Sequence, residues 1–312
     1  MRQSVHIAAG TPATTADTGT FRAREKMCFM AFDEWAKDVE CAAQLLGRPS
    51  LAFRRRLTGG EHARTVVAGD GYGDVVLRRF PPGDAAGEHE LLVTERLAAL
   101  DGLAPRLLAS AASHTDGALL VNELIDGTAP GAVSDQDLAT GLAQALARVH
   151  QITGRGLREA PAQGPSGDSR IAIAGLARDR FARLDLSERV LTHYDFWTGN
   201  TLWKRRTLVG VVDWSGARSA PRGVDLAWAR LDLILQGRPQ AAQMFLDHYR
   251  DATGVCVADI REWDLQAAAQ AVDAVGTWSP NYVGIGLADL TADRLTTRMA
   301  AWIERLLANL GI

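Results

Sequence analysis

Apolar residues recur at helical spacing from Phe32 to Leu46, where Phe32, Trp35, Val39, Ala42 and Leu46 predict an amphipathic helix. Gly47-Arg48-Pro49 closes it. Beyond this point the apolar period shortens. Leu51 to Leu57, Thr65 to Ala68 and Val75 to Leu77 predict strands, with turns at Thr58-Gly59-Gly60 and Gly69 to Gly71. Glu88 to Leu100 predicts a helix, and Leu119 to Val121 a buried strand ahead of a turn at Asp126-Gly127. The rest of the pattern is mostly helical. Ser134 is placed to cap a helix whose apolar positions are Leu138, Leu142, Ala145, Leu146 and Val149. Pro161 to Asp168 reads as a loop, and Phe181 to Glu188 leads into the central part of the chain. Thr201 to Trp203 and Leu208 to Val212 can pair as a hairpin across Lys204 to Thr207. Asp259 and Glu262 have capping-box spacing, opening a helix through about Ala274. A last amphipathic helix covers roughly Asp293 to Leu310. Ahead of all these, Met1 to about Glu25 is rich in Thr, Ala and Gly and reads as a mobile tail, with Met27 and Met30 as alternative starts.

Composition narrows the class. With 312 residues and 47% hydrophobic content the chain can bury a sizeable core in one large domain or two lobes. A net charge of -3 weighs against a nucleic-acid partner, which would call for a basic excess. Cys28, Cys41 and Cys256 are widely spaced and lack metal-site spacing, which predicts a reduced, cytoplasmic setting. No apolar run approaches a membrane span, and the N-terminal stretch lacks the apolar region of a secretory signal, so no membrane partner is expected.

The chemistry concentrates in His193-Tyr194-Asp195-Phe196-Trp197-Thr198-Gly199-Asn200 and Val211-Val212-Asp213-Trp214. The spacing of His193, Asp195 and Asn200 is that of the kinase catalytic loop, and Asp213 follows an apolar strand where the metal-binding Asp of a kinase would stand. One Asp can orient and deprotonate a hydroxyl, while Asn200 and Asp213 can offer oxygens to Mg2+. The expected hairpin would carry Asp213 back beside Asn200. For the nucleotide, ATP or GTP, Thr58, Gly59 and Gly60 allow close backbone approach to phosphates. Arg78 in Val75-Val76-Leu77-Arg78 would take the place of the phosphate-binding Lys, with Arg79 as its rival on the opposite face. Glu90 is the expected ion-pair partner, with Glu88 and Glu95 as rivals, and the strand ending at Glu123 would form a hinge for the nucleobase. Asp225 is expected to brace the loop through backbone hydrogen bonds, and His150 to be a packed histidine. Arg54-Arg55-Arg56 reads as an edge-strand charge cluster.

Taken together, Thr58-Gly59-Gly60, Val76-Leu77-Arg78-Arg79, Glu123 to Gly127, His193 to Asn200, Val212-Asp213-Trp214 and Asp225-Leu226-Ala227 resemble the aminoglycoside phosphotransferase-like (choline kinase-like) family of small-molecule kinases. The resemblance spans about residues 50 to 310. It implies an α+β, protein-kinase-like bilobal fold, with a β-rich N-terminal lobe and a mostly helical C-terminal lobe. Residues 1–30 would be the tail, 31–125 the nucleotide-binding lobe and 126–312 the catalytic and substrate-binding lobe. By resemblance Asp195 is the catalytic base, Asn200 and Asp213 hold Mg2+, and Arg78 holds the nucleotide phosphates. The implied reaction moves a γ-phosphate to a hydroxyl of a small molecule, such as an aminoglycoside, a macrolide or a nucleoside. A metabolic alcohol (choline, homoserine or a sugar) is the alternative acceptor, and a non-catalytic pseudokinase the alternative class. Tyr194 departs from the family pattern, standing where Gly is usual, and Ser215 stands where an acidic residue is common.

A peptide acceptor is disfavoured, because only Trp214 to Val224 separates Asp213 from Asp225 and no A-P-E motif closes that segment. Tyr194, Trp197, Trp278 and Tyr282 are the candidate acceptor-binding residues. Aromatic residues suit a ring-bearing acceptor. A polycation would need carboxylates facing the cleft, for which Asp185, Glu188, Asp259, Glu262, Asp264, Asp273 and Asp289 are available.

Overall fold

A computed structural model of the chain describes residues 35–57, 63–112, 116–161 and 172–311. The expected tail, the Thr58-Gly59-Gly60 turn and nearly all of the loop after Pro161 lie outside those residues.

The first described element is helix α1 (residues 35–46), followed by strands β1 (Ala52–Leu57), β2 (Arg64–Asp70) and β3 (Gly73–Arg79). Helix α2 (Ala85–Leu97) precedes β4 (Leu107–Ala111) and β5 (Leu119–Glu123). The strands form one antiparallel sheet in the order β1-β2-β3-β5-β4. Successive side chains on a strand alternate between faces. Val75 and Leu77 therefore join Val66, Ala68, Leu119 and Val121 under Val39 and Ala42 of α1. Each Val or Leu so covered contributes on the order of 1.5–3 kcal/mol. The three consecutive arginines Arg54 to Arg56 lie on the edge strand β1 and are exposed. Helix α2 begins earlier than its apolar pattern indicated, because the Asp84 carboxylate accepts from Ala86 N at 2.8 Å, and it passes into a 3-10 turn at Ala98–Leu100.

The remaining elements are α3 (Asp135–Val149), α4 (Ala172–Phe181), β6 (Val190–Thr192), β7 (Thr201–Lys204), β8 (Thr207–Val211), β9 (Arg218–Ala220) and α5 (Gly223–Leu235). They are followed by α6 (Pro239–Thr253), α7 (Ile260–Ala271), α8 (Ser279–Gly284) and α9 (Ala292–Leu310). Ser134 caps α3 as its position predicts, accepting from Asp137 N at 3.1 Å. Leu138, Leu142 and Leu146 of α3 are buried in the main core with Trp203 of β7. Gly141 lets the Trp203 ring approach α3: a Cβ there would sit 2.5 Å from the indole.

One capping expectation fails. Asp259 stands ahead of α7 but makes no side-chain cap, and the helix ends at Ala271 rather than Ala274. Its carboxylate accepts from Asp185 N at 3.2 Å, while Glu262 pairs with Arg180, whose Nε donates at 2.8 Å. Long-range partners have taken both members of the presumed box. Among the described residues no helix is long and apolar enough to cross a membrane.

Candidate active site

The β7–β8 hairpin forms as expected, with Thr201 opposite Val211, and Val212 N donates to Asn200 O at 2.9 Å. This return brings Asp213 beside the loop that follows β6. Within the loop Asn200 Nδ2 donates both to Asp195 O at 2.9 Å and to Asp195 Oδ2 at 3.0 Å. With its NH2 group committed to Asp195, Asn200 keeps its carbonyl oxygen as an acceptor for a cation. His193 is fully buried, and its Nε2 bonds to Val212 O at 3.0 Å, tying the loop to the strand that delivers Asp213.

Asp213 and Tyr194 both hold left-handed backbone conformations, with φ of 63° and 69°. Such φ values are uncommon outside glycine. The Tyr194 value explains why glycine suits this position. Here the ring is retained and lies 4.2 Å beneath the Arg218 guanidinium.

On the sheet, β3 separates its two arginines onto opposite faces. Arg79 turns to α1, where its Nε donates to Asp38 at 2.7 Å. Arg78 turns to the site. Its Nη2 donates to Glu90 Oε2 at 3.0 Å and to Asp213 Oδ1 at 3.3 Å, and its Nε lies 2.8 Å from Glu90 Oε1. Glu90 is 4% exposed, so among its rivals it is the carboxylate buried against Arg78. Ser215, in place of an acidic residue, donates to Asp213 Oδ1 at 3.1 Å. Glu123 N donates to Arg106 O at 2.9 Å and its carboxylate accepts from Arg106 Nε at 3.2 Å, so both groups are engaged by the residue just ahead of β4. Thr58, Gly59 and Gly60 are outside the described residues.

The loop from His193 to Asn200 rests on one face of α5, an arrangement the sequence reading missed apart from Asp225. Asp225, Trp228 and Asp232 recur at helical spacing and therefore point the same way. Asp225 accepts from His193 N and Tyr194 N, both at 2.7 Å. Trp228 Nε1 donates to Asp195 Oδ1 at 2.9 Å. Asp232 accepts from Thr198 N at 3.0 Å, and Gln236, one turn on, donates to both Asp232 and Thr198 Oγ1. Behind Asp225, buried His150 bonds to its Oδ2 at 3.2 Å and to Tyr249 Oη at 2.7 Å. His150 is thus a packed histidine, as expected, with a bracing role added.

Asp195 is held at both oxygens, Oδ1 by Trp228 and Oδ2 by Asn200. Burial pushes its carboxyl above the usual range, opposed by His193 and by the bond from Trp228, reinforced by Asp213, and opposed again by the bond from Asn200. A carboxylate raised in this way is a better proton acceptor than one in water.

Three of the predicted aromatic residues, Trp197, Trp278 and Tyr282, pack in ring pairs that include Trp228, which the sequence reading did not single out. The Trp197 and Tyr282 rings meet edge to face at 5.6 Å, and those of Trp228 and Trp278 at the same distance. Tyr282 is 3% exposed, with its hydroxyl donated to Asp232 Oδ1 at 2.9 Å, so it supports Trp197 from behind rather than presenting a hydroxyl. Gly199 is needed beneath Trp197, since a Cβ there would sit 2.1 Å from the indole.

Among the described residues no group of three or more His, Cys, Asp and Glu side chains forms a metal cage. An Asn and an Asp oxygen are nonetheless what Mg2+ commonly takes from a protein when phosphates and waters complete its octahedron. Asn200 and Asp213 fit that role.

Residues 54–265 match the sequence profile of the phosphotransferase enzyme family (APH). The solved structure of aminoglycoside phosphotransferase APH(4)-Ia is similar, at 17% identity and a TM-score of 0.57, over 86% of this chain and 98% of that one. Macrolide 2'-phosphotransferase MphH from Brachybacterium faecium aligns at 19% identity and a TM-score of 0.52, over 85% of this chain and 98% of that one. Spectinomycin phosphotransferase APH(9)-Ia, solved with ADP and spectinomycin, aligns at 13% identity and a TM-score of 0.54, over 85% and 97%. At these identities the likeness is one of fold: a β-rich N-terminal lobe and a helical C-terminal lobe. No curated protein sequence matches the chain.

Proposed function

The chain belongs to the phosphotransferase enzyme family and is a small-molecule kinase with a hydroxyl acceptor, and from that premise we propose a magnesium-dependent transfer from ATP or GTP to an antibiotic or related natural product. Modification of such a compound would confer resistance to it. The observation that carries this reading is the convergence of Arg78, Asp213, Asn200 and Asp195, linked by the contacts Arg78–Asp213 at 3.3 Å, Val212 N–Asn200 O at 2.9 Å and Asn200–Asp195 at 3.0 Å. We also take residues 31–125 as the nucleotide-binding lobe and 126–312 as the catalytic and substrate-binding lobe.

In this reading Arg78, oriented by Glu90, grips the nucleotide phosphates, and the strand ending at Glu123 is the hinge that meets the nucleobase. Asn200 and Asp213 would hold Mg2+, which when bound neutralises charge on the β- and γ-phosphates. Asp195 accepts a hydrogen bond from the acceptor hydroxyl, aligns its oxygen with the γ-phosphorus and receives its proton. The new O–P bond forms as the bond to the β-phosphate oxygen breaks, and the nucleoside diphosphate leaves. Most of the rate comes from alignment and from fixed charge.

ADP release measured across a set of hydroxylated natural products, with Asp195→Asn as control, tests the reading. Loss of a general base costs about 10²–10⁴-fold. Turnover retained in that variant would remove Asp195 from the role of base.

A further inference from the structure

We infer that the acceptor is a ring-bearing alcohol carrying at most one positive charge, seated against an aromatic wall formed by Trp228, Trp278 and Trp197. The inference rests on the phosphotransferase reading above and adds the class of acceptor.

Two independent observations carry it. The first is what surrounds the proposed base. Trp228 touches Asp195 directly through its N–H at 2.9 Å, and Trp278 packs edge-on against Trp228 with ring centres 5.6 Å apart. Trp197, two residues after Asp195 in the chain, is backed by Tyr282. All three indoles are only partly buried, so apolar surface remains open within reach of the group that must receive the acceptor's proton. An aromatic face binds flat or apolar rings, and a single ammonium when one is present.

The second observation concerns the carboxylates a polycation would require. Glu188 is paired with Arg222, Glu262 with Arg180, and buried Asp264 with Arg230. Asp185 accepts from Ser187, and Asp259 accepts from Asp185 N. Asp289 lines a cavity of about 380 Å³ together with Arg238, Arg294 and Arg298, whose charges offset its own. Asp232 is buried behind Tyr282. Asp185 and Asp273 are exposed without an arginine shown beside them, and neither is shown in contact with Asp195 or with Trp228, Trp278 or Trp197. Among the described residues none of these carboxylates is shown against the three indoles, and an aromatic face alone cannot compensate the desolvation of several ammonium groups.

Trp278 and Tyr282 also lie beyond residues 54–265, the span that matches the family profile.

The test is steady-state kinetics with ATP and Mg2+ on three probes at low and physiological salt: erythromycin, uridine and hygromycin B. Nucleotide binding is followed separately by thermal shift. Erythromycin or uridine is expected to react with a kcat/KM at least about tenfold above that for hygromycin B, with no salt dependence of KM. Trp278→Ala should raise the KM for the preferred probe about tenfold, the value of one ring contact, with the loss concentrated in KM. Trp278→Phe should recover most of it, which separates a lost ring from a damaged fold. A preference for hygromycin B with KM rising as salt is added overturns the inference. So does an unchanged KM in Trp278→Ala, or failure of both low-charge probes while nucleotide still stabilises the protein, and in those cases the phosphotransferase reading survives. Absence of any nucleotide-dependent stabilisation overturns both.

Discussion

On one side of the site Arg78 lies between the carboxylates of Glu90 and Asp213, whereas on the other Asp195 is held by the indole of Trp228 and the amide of Asn200. The first side is ionic, drawing its parts from β3, α2 and the end of β8. Its geometry suits phosphate, which needs charge and bidentate donors. The second side is aromatic around Asp195, drawing Trp228 from α5, Asn200 and Trp197 from the loop after β6, and Trp278 from just ahead of α8. Its geometry suits an acceptor that must be positioned rather than neutralised. On the proposed function, the difference teaches that the two substrates would be recognised by separable sets of residues. Variants on each side should therefore damage different kinetic constants.

The strongest way to break that separation is at Asp213, which belongs to both chemistry and charge. Asp213→Ala is expected to lower kcat by about a thousandfold or more and to abolish the response to magnesium, by analogy with other removals of transition-state charge stabilisation. Magnesium titrations of ADP release measure it, and full activity would refute the metal assignment.

A matched pair of milder variants sharpens the comparison. Glu90→Gln removes the charge that orients Arg78, and hydrogen bonds to charged groups are worth about 1.5–3 kcal/mol. The nucleotide KM should rise about tenfold or more while the acceptor KM stays put. Trp228→Phe keeps a ring but removes the N–H from Asp195, and the same range predicts a kcat at least about tenfold lower with an unaltered nucleotide KM. If both variants shifted the same constant, the two sides would not be separable.

Tyr194→Gly should have the smallest effect on stability. Relief of a left-handed non-glycine residue is worth roughly 1–2 kcal/mol. Greater freedom in the unfolded chain returns about 0.5–1 kcal/mol, and loss of the Arg218 contact about as much again. The Tm should therefore move by no more than about 2–4 °C. What should change is the range of acceptors, since the ring beside Asp195 is gone. A kcat/KM profile across the probe set identical to that of the wild type would exclude Tyr194 from acceptor choice.

Much of this site was legible in local order. The interval from His193 to Asn200, the hairpin that returns Asp213, and the alternation that puts Arg78 and Arg79 on opposite faces are all short-range, so a linear reading carries them. Helix α5 was not legible beyond Asp225. Nearly every one of its residues is buried, from Gly223 to Leu235, so it lacks the polar stripe by which an amphipathic helix is recognised. The strands β6 and β9 were missed because each spans three residues, too few for a period of two to emerge. The supposed capping box of α7 misled for a related reason. Its spacing is local, but Arg180 and Asp185, which claim its carboxylates, are distant in sequence.

By itself, then, the sequence determined the kinase-like loop, its companion Asp213 and the order of a β-rich lobe before a helical one, because these follow from spacing and periodicity. Only the tertiary structure decided that Arg78 rather than Arg79 faces the site. That choice needs Asp38 of α1 on one face of the sheet and Glu90 of α2 on the other. The tertiary structure also made Trp228 a partner of Asp195, across a separation of 33 residues. Such contacts arise from packing between elements, and packing has no signature along the chain.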